Sequence, residues 1–127
     1  MIKAYLTWIE SLYEGESIEV RYTVFEGQEL LYKEAIMLEY KKPAVVGLVA
    51  LMTLLKKLKK YREEEILILI NDAALNEIVR GTSTTKNNNV LKTAVRMRKE
   101  LSEFSNTVIR DVSTDRSELT EWTEVQR

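Results

Sequence analysis

The stretch "ILILINDAALNEIV", residues 66–79, is solidly aliphatic until Asn71 and Asp72, then resumes with helical spacing. A carboxylate placed where a buried strand hands over to a helix suits two roles. Asp72 can cap the helix that follows, a position favouring Asp and Asn alike. It can also serve as a metal ligand, because α/β folds place ligands beyond the carboxyl ends of their strands. The chain has no cysteine and no histidine. That excludes disulfides, thiolate or imidazole zinc sites, thiol nucleophiles and every Ser-His or Cys-His pair. Metal chemistry must then be carboxylate-based and suit a hard ion such as magnesium or manganese.

A second candidate is the basic run Lys56, Lys57, Lys59, Lys60 and Arg62, with Tyr61 available for stacking on a base. Its competing explanation is local: cations at a helix C-terminus complement the dipole, and Glu63 to Glu65 neutralise the patch at once. Lys86, Lys92, Arg96, Arg98 and Lys99 form a more diffuse set, the pattern of a solvated helix face. Trp8, Tyr5, Tyr13, Tyr22 and Tyr32 fall on strands, where they can either line a stacking platform or pack across strands.

The elements that must position these groups follow from periodicity. Ile2, Ala4, Leu6 and Trp8 alternate with Lys3, Tyr5 and Thr7, so residues 2–13 form a strand. Ile18, Val20, Tyr22 and Val24 define a second over 17–25, and residues 29–40 a third. "EGE" and "EGQ" are the turns between them, which makes an antiparallel meander. Pro43 opens a helix running to Leu58 that is apolar on nearly every side, with Gly47 marking a close approach to the sheet. Residues 65–70 show no alternation, as expected of a central parallel strand buried on both faces. A short helix over 73–80 closes at Gly81. Val90, Leu91, Ala94, Val95, Met97, Leu101 and Phe104 mark an amphipathic helix. Residues 107–112 form a last strand, and the tail from about 113 a closing helix capped near Ser113 or Thr114.

The order β-β-β-α-β-α-α-β-α, and several strings within it, resemble type 1 ribonuclease H in its compact archaeal and bacterial form. Asn71-Asp72-Ala73-Ala74-Leu75 resembles the family's Ser/Thr-D-S-x-L-V string after the fourth strand. "FSNTVIRDVSTDRSELTEW", from Phe104, resembles its last strand and closing helix. "AYLTWIES", from Ala4, stands where the family has a first strand like "AYFDGAS". The resemblance covers nearly the whole chain. It implies an α/β fold, a single ribonuclease H-like domain over 1–127. Its five-stranded mixed sheet has three antiparallel and two parallel strands, with helices on both faces.

The resemblance also implies a site. The family cuts the RNA strand of RNA–DNA hybrids with two magnesium ions held by four carboxylates. Two dications about 3.5–4 Å apart repel each other and need several anionic ligands to sit together. Carried onto this sequence, the first carboxylate falls on Thr7 and the second on Ala44 or Val45. The third is matched by Asp72, and the fourth falls on Glu121, or on Glu118 with a shift of one turn. The family's glycine-rich stretch is replaced by a plain hairpin, and Asp111 stands closest to its late histidine. The expectation is therefore a catalytically degenerate member needing no cofactor, kept as a nucleic-acid-binding or protein-interaction module. Its partner would be an RNA–DNA hybrid or a single strand. The alternative is a magnesium- or manganese-dependent hybrid nuclease with a rearranged set of Glu10, Asp72 and Glu118 or Glu121.

The bulk numbers bound these readings. The chain has 127 residues, 45% hydrophobic and 31% charged, with a formal net charge of -1. That suits one soluble domain and provides no global field for nucleic acid, so any such binding needs a local patch. The longest apolar stretch, Ala44 to Leu55, is too short to span a bilayer, and the start carries no signal segment. A cytoplasmic protein is expected. The apolar third strand "ELLYKEAIMLEY", placed at a sheet edge, invites a homodimer.

Overall fold

The computed structural model describes residues 1–9, 17–39 and 42–126. Glu10 and Tyr13 lie outside the described residues, as does Tyr40. The described elements are β1 (Ile2–Ile9), β2 (Ile18–Glu26), β3 (Glu29–Leu38), α1 (Pro43–Leu58), β4 (Glu65–Ile70), α2 (Ala73–Arg80), α3 (Asn88–Leu101), β5 (Asn106–Asp111) and α4 (Arg116–Val125). A single 3₁₀ turn, Lys59–Tyr61, prolongs the basic end of α1. The expected order is observed throughout.

One five-stranded sheet runs β3-β2-β1-β4-β5. β1 pairs antiparallel with β2, and β2 with β3, while β1–β4 and β4–β5 are parallel. β3 and β5 are its two edges. The period-two alternation of β1 decides what each face buries. Ile2, Ala4 and Leu6 join Val20, Tyr22, Val24, Ile66, Ile68 and Ile70 under α1 and α3, whose Leu48, Leu51, Leu54, Leu55, Leu58, Val90, Ala94 and Met97 complete the main core. The odd-numbered Tyr5 and Leu69 face the other way and, with Val112, meet Leu119, Trp122 and Val125 of α4. Helices therefore cover both faces, which is why β4 shows no alternation.

α1 is apolar nearly all round because the sheet lies on one side of it and α3 on the other; nine of its residues are buried. Gly47 is indeed a close approach, to Trp8 of the sheet and to Leu75 of α2. A Cβ there would lie 3.1 Å from Trp8 and 3.3 Å from Leu75. Each of the other helices starts on a side-chain cap. Asp72 accepts from Leu75 N (2.9 Å), Asn87 from Asn89 N and Val90 N, and Asp115 from Glu118 N (3.0 Å). The cap of the closing helix is thus Asp115, not Ser113 or Thr114. Asp115 is extended and sits directly before the first helical residue, as a cap requires. Gly81, at φ 76°, ends α2 in the left-handed conformation that glycine adopts without steric cost. Among the described residues no helix is long and apolar enough to cross a membrane.

Candidate functional site

β1 and β4 run parallel, with Tyr5 level with Leu69. Carrying that register two residues further brings Thr7 level with Asn71, and Trp8 with Asp72. A pocket of about 220 Å³ opens there, lined by Leu6, Thr7, Trp8, Asn71, Asp72 and Trp122. An adjoining hollow of about 190 Å³ connects Asp72 to Pro43, Ala44 and Gly47 at the start of α1 and to Leu75 and Ile78 of α2. Two indoles reach this mouth from opposite faces of the sheet. Trp8 packs against Gly47 and Leu75 on the α1 side. Trp122 packs under α4 and donates from Nε1 to the Leu6 carbonyl at 3.3 Å. These are the two tryptophans of the chain.

Asp72 is held firmly. Its Oδ1 caps α2, and its own N–H donates to Asp111 Oδ1 at 3.1 Å. Asp111 in turn accepts from Ser113 N (3.0 Å) and Ser113 Oγ (2.6 Å), which fastens the end of β5 to the end of β4. Asp111 is therefore a strand-end tie. Of Asn71 and Asp72, it is Asp72 that caps the helix, and the second oxygen, Oδ2, has no partner among the described residues. Capping and pocket-lining coexist in one side chain. Asp72→Ala is expected to cost about 1 kcal/mol of stability, whereas Asp72→Asn, whose amide oxygen still caps, costs only a few tenths. Urea unfolding of the two variants would check this; equal losses would mean that the cap is not what Asp72 supplies.

Of the other sequence-derived carboxylates, Glu118 and Glu121 turn away from the mouth, and Glu10 lies outside the described residues. Glu121 accepts from Tyr5 OH at 2.6 Å and from Lys3 Nζ at 3.1 Å. Those residues lie two and four positions before Thr7, roughly 7 to 13 Å back along a strand. Glu118 pairs with Arg110 of β5 at 2.5 Å. Thr7 and Asp72 share the pocket, Ala44 borders the adjoining hollow, and Val45 is buried. Among the described residues no group of three or more Asp, Glu, His or Cys could hold a metal ion. Among the described residues the donors here are one half-committed carboxylate, a threonine hydroxyl and an amide. That set does not fit a pair of dications, which needs several negative ligands.

The Tyr5 hydroxyl, and then Lys3, hold the Glu121 carboxyl below its usual pKa. A depressed carboxyl stabilises the fold above its unfolded pKa, about 4.3 for glutamate, and loses that contribution as pH falls through the lower, folded value. The stability difference between the wild type and Glu121→Gln is therefore expected to be complete at neutral pH and to vanish in acid. Urea midpoints from pH 7 down to 2 would show it. A gap that persists at the acid end would assign the loss to packing.

The basic run spans the last turn of α1 and the 3₁₀ turn after it, at the opposite end of the helix from Ala44 and Gly47, which border the hollow beside Asp72. Lys57 pairs with Glu34 (3.2 Å), Lys59 with Glu103 (3.1 Å) and Arg62 with Glu63 (3.9 Å). Lys57 and Lys60 also stand over the Tyr32 ring, at 4.4 and 5.3 Å from its centroid. Lys56 borders a different cleft with Glu39, Arg96 and Glu100. The described strand aromatics do not share one platform. Tyr5 meets Phe25 edge-on on the α4 face, and Tyr22 is buried on the α1 face with its hydroxyl donating to Glu34. Trp122 was not among the sequence-derived site residues. Its only signal is the stripe Leu119, Trp122, Val125 at helical spacing in the tail.

No protein-family model matches the sequence, and neither does any curated protein. Solved structures do match. Ribonuclease H1 of Halobacterium salinarum superposes with a TM-score of 0.77 at 16% identity, over 92% of this chain and 89% of that one. This chain has the ribonuclease H fold. The N-terminal ribonuclease H domain of a Mycobacterium tuberculosis protein superposes with a TM-score of 0.74 at 15% identity, over 94% and 90% of the two chains. LC11 ribonuclease H1, solved in complex with an RNA/DNA hybrid, superposes with a TM-score of 0.74 at 13% identity, over 98% and 92%. At these identities the likeness establishes the fold, and function has to be argued from the site.

Proposed function

We propose that this ribonuclease H-fold domain binds nucleic acid, an RNA–DNA hybrid or a single strand, without a working two-metal centre. One observation carries the reading: among the described residues, Asp72 is the one carboxylate lining the mouth between β1 and β4. Glu118 and Glu121 are engaged by Arg110 and by Lys3 with Tyr5. The nucleic-acid half of the reading draws on the fold shared with LC11 ribonuclease H1, which carries a hybrid. Lys56, Lys59, Lys60 and Arg62 supply exposed cations for phosphates, and Lys57 a half-buried one. Their surface ion pairs, worth about 0–1 kcal/mol each, are readily exchanged for phosphate contacts.

Two measurements test the halves separately. Titration with magnesium or manganese is expected to leave the melting temperature unchanged, because an ion that binds only the folded state would raise it. A saturable rise lost in Asp72→Asn would favour the rearranged nuclease, whose remaining member, Glu10, lies outside the described residues. Binding of a labelled hybrid and a labelled single strand is expected at low salt and should weaken steeply as salt rises. No binding to either at low salt would end the nucleic-acid role.

The free edge of β3 favours a second reading of the protein's state. Among the described residues no further strand lies beside that edge, and Leu30 and Met37 of β3 are exposed, so we also propose a homodimer paired along β3. Light scattering at the mass of one chain would exclude it.

A further inference from the structure

We infer that the pocket between Trp8 and Trp122 receives a single unstacked nucleobase bearing an exocyclic amine, with cytosine the best fit, and that Asp72 Oδ2 accepts from that amine. The inference rests on the nucleic-acid-binding reading above and specifies its ligand.

Size comes first. About 220 Å³ is below the roughly 300–1,000 Å³ typical of clefts for drug-sized ligands, so the occupant is one small planar group and not a duplex. Indoles that approach from the two faces of the sheet offer π surfaces, and bases stack on such surfaces whatever their sequence. The choice among bases falls to the polar groups. Asp72 directs Oδ1 to Leu75 N and keeps Oδ2 without a protein partner among the described residues. Among the described residues neither lysine nor arginine lines the pocket. An unpaired carboxylate with no cation beside it repels phosphate and attracts a hydrogen-bond donor. An aspartate accepting from the cytosine amino group is a recurrent pairing in base recognition. Uracil presents a carbonyl at that position and would set oxygen against oxygen. Asn71 and Thr7 line the same pocket and can meet the remaining base edge with a donor or an acceptor. A base can enter only when it is out of its helix, so the substrate is a single strand, an overhang or an extruded nucleotide.

Both tryptophans of the chain stand at this pocket, so intrinsic fluorescence reports occupancy directly. The full-length protein would be titrated with cytidine and with uridine while indole emission is followed, then with labelled cytosine-rich and uracil-rich single strands by anisotropy. Cytidine is expected to quench at a concentration at least about tenfold lower than uridine. Asp72→Asn keeps the cap but turns an amide N–H₂ toward the base, so it should abolish or invert that preference. Trp8→Phe and Trp122→Phe each should remove part of the quenching and leave the fold intact by circular dichroism. Quenching that is equal for the two nucleosides, or unaltered by Asp72→Asn, would overturn the base pocket. So would the absence of quenching by either nucleoside. If the strands then still bind the wild type and Asp72→Asn alike, the pocket falls while the nucleic-acid role stands. If no strand binds at low salt, that role falls with it.

Discussion

Mixed with an RNA–DNA hybrid and magnesium or manganese, the protein is expected to leave the RNA strand uncut on a timescale where an active ribonuclease H1 at equal concentration cleaves it completely. The expected deficit is many orders of magnitude, because enzymes accelerate reactions by about 10⁶-fold or more, and two-metal sites do so by clamping the attacking and leaving oxygens. That clamp depends on anionic charge sufficient to hold two dications together. At the mouth of β1 and β4 the described residues provide Asp72, the Thr7 hydroxyl and Asn71. Asp72 has already given one oxygen to the α2 cap. Trp8, Gly47 and Leu75 fill the neighbouring space with apolar atoms. Gel resolution of a labelled RNA strand would read the result. Cleavage that requires the metal and disappears in Asp72→Asn would overturn the proposal and direct attention to Glu10, Glu118 and Glu121 as partners. Cleavage unaffected by Asp72→Asn would indicate a contaminant.

Leu51→Ala is expected to destabilise the domain by about 2–5 kcal/mol, a large part of the 5–15 kcal/mol typical of a whole domain. Leu51 is fully buried in the core cluster formed by α1, α3 and the sheet. Truncation there removes the transfer energy of the lost methyls and leaves a cavity that packed neighbours on two sides cannot fill. Val95→Ala on α3, at a residue 64% exposed, should stay within about 0.5 kcal/mol of the wild type. The pair isolates burial from helix propensity, and urea midpoints would measure both. Comparable losses at the two positions would contradict the placement of the core. The same truncation bears on function, since α1 is the element that sets Gly47 beside Trp8 at the pocket.

Most of the architecture was legible from residue order because its causes are short-ranged. β4 and α2 begin and end at the expected residues, 65–70 and 73–80. An unbroken aliphatic run, a cap and a glycine in the left-handed region each act within a few residues. The tail was less legible. Ser113, Thr114 and Asp115 are all capping types, and the choice among them fell to Asp115 while Ser113 was drawn to Asp111. At the candidate site, Asp72 and Thr7 were legible because a place at a strand end is a local fact, whereas Trp122 was not.

By itself, then, the chain's order of residues determined which segments are strands and helices, which faces are apolar, and that chemistry here has neither thiol nor imidazole to use. Tertiary structure alone decided who meets whom at the strand ends. Glu121 and Trp122 are neighbours in sequence, yet a helix turns about 100° per residue. That rotation sends the carboxylate to Tyr5 and the indole to the Leu6 carbonyl, 116 positions away. Aligning the tail with a family motif sets position along the helix but not its angular phase against the sheet. The phase is set by how Leu119, Trp122 and Val125 pack on Tyr5, Leu69 and Val112, a long-range balance of contacts that no local pattern encodes.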